Sequence, residues 1–142
     1  MWTTPSLEFH YRRSEMKIRI TEVISTADTL LVSFRSSIGS GTASWLGVPP
    51  NIGDDQDVEL DLDEIFSWGI NVTPSFDTTS QITHVNGTYH ITAELIEVTD
   101  EDCAVLKLGD SILLIELDGP ITHESGYVDV RATRVILHPT HI

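Results

Sequence analysis

At 142 residues the chain is sized for one domain. Its 40% apolar and 21% charged residues make a globular composition and exclude a disordered acidic tail. Eight lysines and arginines against 22 aspartates and glutamates leave a formal charge of −14, which repels phosphate backbones and argues against nucleic acid as a partner.

No apolar run approaches the ~20 residues that span a bilayer, so no membrane partner is expected. The N-terminus lacks the basic-then-apolar order of a secretory signal. The single cysteine, Cys103, has no second thiol to pair with, and it sits in the apolar stretch CAVLKL, as a buried thiol would in a reducing compartment. Together these lead us to expect a cytoplasmic protein.

Residues 1–15 show no apolar period and are expected to form a disordered extension ahead of one all-β domain over 16–142. From Lys17 the pattern is β almost throughout. Lys17–Ile24 alternates, with an irregularity expected near Glu22. Thr26–Asp28 is a turn, Thr29–Phe34 a strand, Gly39–Gly41 a break and Thr42–Leu46 a further strand. The loop Gly47–Gly53 carries two prolines and two glycines.

Asp57–Leu62 alternates strictly, with Val58, Leu60 and Leu62 on one face and Asp57, Glu59 and Asp61 on the other. That is a half-buried strand with an acidic outer face. Asp63–Gly69 fits either more strand or one helical turn, and polar loop signals follow through Ser80. Asn86-Gly87 is the preferred two-residue hairpin turn. His90–Val98 is a strand, and Asp100–Asp102 turns. Cys103–Leu108 pairs with Ser111–Leu117, and Tyr127–Leu137 reads as one alternating strand.

The order of pieces over 17–65 recurs over 90–137 at an offset near 72 residues. EVISTADTLLV is answered by IEVTDEDCAVL, and GVPPNIG before DVELDLDEI by GPITHESG before YVDVRATRVI. The expected fold is therefore all-β, an OB-like or related β-barrel with two similar half-repeats sharing one core.

The charge is concentrated. Residues 36–106 hold thirteen acids and no lysine or arginine, and seven of those acids lie between Asp54 and Glu64. These seven (Asp54, Asp55, Asp57, Glu59, Asp61, Asp63 and Glu64), with Trp68 as aromatic anchor, are the candidate partner-binding residues, and the partner they suit is a basic protein.

The run does not fit the EF-hand loop, and same-face carboxylates on a strand stand ~6.6–7 Å apart, too wide to share one ion. His138-x-x-His141 spans Pro139 and offers only two imidazoles, so no metal site and no cofactor are expected. No G-x-S-x-G, phosphate-cradling loop or H-E-x-x-H occurs, and no catalytic residue or enzymatic activity is assigned.

The segment Gly47–Asp63, G-x-P-P-x-I-G followed by D-V-E-L-D-L-D, together with size and charge, is similar in style to small acidic immunity proteins of bacterial toxin systems. The resemblance covers about a third of the chain and implies an intracellular module that blocks a basic toxin, often a nuclease, by filling its substrate groove. An OB-like oligonucleotide- or ligand-binding domain, or a structural assembly domain, is the alternative. The sequence leaves the oligomeric state open.

Overall fold

The computed structural model describes residues 15–99, 102–122 and 125–140. The expected N-terminal extension lies outside this range except for Glu15, as does most of the turn at Asp100–Asp102. Twelve strands run in chain order: β1 (Met16–Ser25), β2 (Leu30–Ser36), β3 (Gly39–Trp45), β4 (Asp55–Leu62), β5 (Ile65–Phe66), β6 (Val72–Pro74), β7 (Gln81–Val85), β8 (Thr88–Thr99), β9 (Cys103–Leu108), β10 (Ser111–Leu117), β11 (Gly126–Ala132) and β12 (Val135–Pro139). The protein is all-β, with the closed five-stranded barrel of an OB-like fold.

The barrel closes through β1, β2, β3, β12 and β4, and β4 returns to β1. All neighbours are antiparallel except β3 and β12, which run parallel through Ser44–Ile136 and Trp45–Leu137. Strand alternation decides the inside. Met16, Ile18 and Ile20 of β1 are buried while Lys17 and Arg19 point outward. The irregularity near Glu22 is a bulge: pairing with β2 shifts between Ile20 and Glu22, and β1 bends there.

A second ring follows the same rules. β8 pairs β9, β9 pairs β10, and β11 pairs β8, all antiparallel. β5 adds to β10 in parallel through Ile65–Glu116 and Phe66–Leu117, and β6 adds to β11 antiparallel. β5 and β6 form no ladder with each other, so this second ring is completed by the chain itself, through the short excursion 67–71 that joins them. The hairpin of β7 and β8 turns at Asn86-Gly87, with φ of 53° and 80°. It also bridges the rings through Gly39–Ile82.

Two expectations change. Tyr127–Leu137 is not one strand: pairing stops at Ala132 and resumes at Val135, and the two pieces join different rings. The buried positions also change phase there, from Val128, Val130 and Ala132 to Val135 and Leu137, across the exposed pair Thr133-Arg134. Asp63–Gly69 is strand only over the two residues of β5, Ile65–Phe66, after which the chain loops out.

Both rings feed one continuous core. Val58, Phe34 and Leu137 of the first lie in the same buried cluster as Phe66, Leu106, Ile115 and Val130 of the second. No buried side-chain nitrogen or oxygen among the described residues lacks a hydrogen-bond partner.

Candidate functional site

β4 lies between β1 and β12, so its acids form the middle row of a three-stranded wall and not an exposed edge. Val58 and Leu62 are buried and Leu60 packs on the core, which turns Asp55, Asp57, Glu59 and Asp61 outward. The cations absent from the sequence around β4 arrive from its neighbours.

Arg19 donates to Asp55 through Nε at 2.9 Å and Nη2 at 3.1 Å, a bidentate pair. Lys17 Nζ lies 3.2 Å from Asp57. His138 Nε2 lies 2.6 Å from Asp61 Oδ2, and Arg134 Nη2 lies 3.1 Å from Asp63. The Arg19 guanidinium, by hydrogen bond and charge, holds the Asp55 carboxyl below the usual aspartate range.

The ends of the acidic run have local duties. Asp54 accepts from the Asn51 amide at 2.9 Å, closing the loop before β4. Glu64 Oε2 accepts the amides of Thr133 and Arg134, each at 2.8 Å. Thus the structure brings six of the eight candidate residues, Asp54 to Asp63, onto one wall and its entry loop, and sets Glu64 at its far end as a clamp.

Trp68 does not belong to that wall. It lies in the 67–71 excursion of the second ring, half-buried against the core. Hydrogen bonds hold the excursion in shape: Ser67 N donates to Asn71 Oδ1 at 2.7 Å and Gly69 N to Val72 O at 2.7 Å.

Exposed apolar side chains lie instead on the loop that leads into β4, where Leu46, Val48 and Ile52 are 59, 74 and 66% exposed. Sequence reasoning passed over them because they sit in a Gly/Pro loop without periodicity. The loop is nonetheless fixed: Trp45 Nε1 donates to Val48 O at 2.9 Å, and Gly53 N to Ile20 O at 2.7 Å.

A groove of about 380 Å³ opens over β3 and β12, lined also by Leu31 of β2 and bounded by the β7–β8 hairpin and by Asp63, Thr133 and Arg134. One wall is His84 stacked on Tyr89, with ring centroids 4.2 Å apart. Tyr89 donates to the Thr42 carbonyl, and the Thr42 amide donates to His84 Nδ1 at 3.3 Å. Burial lowers the His84 imidazole and raises the Tyr89 phenol, so both are neutral near pH 7.

Cys103 is half-buried, and burial reinforced by Glu116 raises its thiol, which disfavours the nucleophilic thiolate. Among the described residues no three histidine, cysteine, aspartate or glutamate side chains are placed to hold a metal ion. No known protein family, curated protein or solved structure matches the chain.

Proposed function

We propose that the protein is a binding module whose acidic wall, β4 between β1 and β12, docks a basic protein partner such as a bacterial toxin and covers its substrate groove. The observation that carries this is the row Asp55, Asp57, Glu59, Asp61 and Asp63 on one outward surface of a rigid barrel.

The intramolecular pairs on that wall do not oppose docking. Arg19–Asp55 and Arg134–Asp63 are solvent-exposed, and exposed pairs add little to stability, so a partner's arginines can replace them. The pairs keep the wall ordered while the chain's net charge of −14 steers a cationic partner toward it. Leu46, Val48 and Ile52, on the loop entering β4, supply the apolar contacts that charge alone does not give.

The test is capture of partners from a lysate of the source cells at about 50 mM and about 500 mM salt. A basic protein retained at low salt and released at high salt supports the proposal. It should associate at least tenfold more slowly with a variant carrying Asp57→Lys, Glu59→Lys and Asp61→Lys whose circular dichroism is unchanged. Equal association rates would remove the wall from the mechanism.

A second reading has its own observation, the groove over β3 and β12, on a barrel of the kind that binds oligonucleotides and oligosaccharides elsewhere. Retention of the protein on single-stranded DNA, lost in Arg134→Ala, would favour it over docking of a basic partner.

A further inference from the structure

We infer that the chain consists of two copies of one five-stranded unit that complete each other by exchanging their fifth strands, so the covalent link at residues 75–80 is not what holds them together. β12, at the end of the second half, supplies the fifth strand of the first ring. β5 and β6, at the end of the first half, supply that of the second.

The correspondence holds at the level of single bonds. Ser44–Ile136 and Trp45–Leu137 in one parallel pair answer Glu116–Ile65 and Leu117–Phe66 in the other. Leu46 N donates to Leu137 O at 3.0 Å, and Asp118 N to Phe66 O at 3.0 Å. The first strand of each ring is bulged at the matching place, between Ile20 and Glu22 and between Leu95 and Glu97. Gly53 and Gly126, with φ of 93° and 99°, lead into or open the fourth strands. The copies differ in that residues 67–71 interrupt the second fifth strand.

Backbone geometry explains the exchange. For β4 to fold back on its own fifth strand, the two residues between them, Asp63-Glu64, would form a two-residue hairpin, as would Thr133-Arg134 after β11. Such turns need positive φ at one or both central residues. Asn86-Gly87 supplies it, whereas neither of these dipeptides adopts it. Each chain segment bends without a hairpin turn, at Glu64 and at Thr133, and passes into the opposite ring. The two crossings then meet: Asp63 N donates to Arg134 O at 2.8 Å, and Glu64 caps the Thr133 and Arg134 amides.

The experiment inserts a protease site between Thr78 and Thr79 of the full chain and cuts it. Native size-exclusion chromatography should return one particle of unchanged volume, and the fragments should separate only in denaturant; two separately folded fragments would overturn the inference. Hydrogen exchange on uncut chains then tells strand exchange from ordinary packing. For amides that exchange by local opening of the native state, Leu137→Ala should speed those of β3 and β4 about tenfold or more beyond those of β10 and β11, and Phe66→Ala should do the reverse. If Leu137→Ala instead loosened β10 and β11 first, the exchange would be refuted.

Discussion

Glu64 shows how much one side chain can do at this fold's crossings. A single carboxylate oxygen accepts two backbone amides from the other half of the chain. Removing an acceptor shared by two donors costs about 1–3 kcal/mol when the donors are left unpaired. We expect Glu64→Ala to lower stability toward the lower end of that range, since water reaches the site, and Glu64→Gln to recover part of it through its carbonyl. Urea unfolding of the two variants measures both, and equal losses would deny the acceptor role.

Cys103 provides a second test at this scale. Its raised thiol and partial burial predict reaction with a disulfide reagent at pH 8 well below the rate of a free cysteine, and full speed only in denaturant. A native rate matching that of the free thiol would place Cys103 in a different environment.

At the scale of elements, contact between the rings depends on residues that lack bulk or charge. A Cβ added at Gly39 would stand 1.9 Å from the Ile82 carbonyl oxygen, where β3 meets β7, on a backbone with φ of 146°. Gly39→Ala must separate the strands or bend them, and the expected cost is about 2–4 kcal/mol. A thermal midpoint unchanged from the parent would contradict that packing.

The β7–β8 hairpin adds a pH dependence. His84 Nδ1 accepts the Thr42 amide, so it must be unprotonated in the native state, and burial holds the imidazole below its ordinary value. The unfolded chain then binds more protons, so the contribution of His84 is fully present above about pH 7 and fades as pH falls through about 6.5. His84→Asn keeps an acceptor but not the titration. The stability difference between parent and variant should shrink from pH 7.5 to pH 5.5, as followed by urea midpoints, and a constant difference would exclude His84.

At the scale of the whole molecule, the shared core and the reciprocal fifth strands predict one cooperative unfolding transition. Phe66 and Leu137 are fully buried and occupy matching places in the two rings. Truncating either to alanine should cost about 2–5 kcal/mol and shift the single transition, without splitting it, in far- and near-ultraviolet circular dichroism. Two separated transitions would mean that the rings fold independently.

Local chemistry made much of this fold legible beforehand. Period-two alternation located β1 and β4, the apolar run Ser111–Leu117 located β10, and Asn86-Gly87 gave the hairpin because its turn needs the left-handed backbone that this pair supplies. The outward direction of Asp57, Glu59 and Asp61 followed from the apolar partners between them, and the structure places Val58 and Leu62 inside.

What the sequence could not show were facts about neighbours. Lys17 and Arg19 lie some forty positions before Asp57 and Asp55, and His138 and Arg134 lie more than seventy after Asp61 and Asp63. Only the order β1–β4–β12 turns a bare acidic strand into a wall of ion pairs. Trp68 likewise follows the acids in sequence yet sits on the other ring, because Asp63-Glu64 carry the chain across to the pairing of β5 with β10.

The chain's own residues thus determined that it folds as β-strands, where most of those strands lie and which faces are acidic. These are matters of side-chain polarity and backbone preference within a few positions. The tertiary structure alone decided which strand completes which ring and which cation meets each carboxylate, because strand pairing joins residues by register in space and not by distance along the chain.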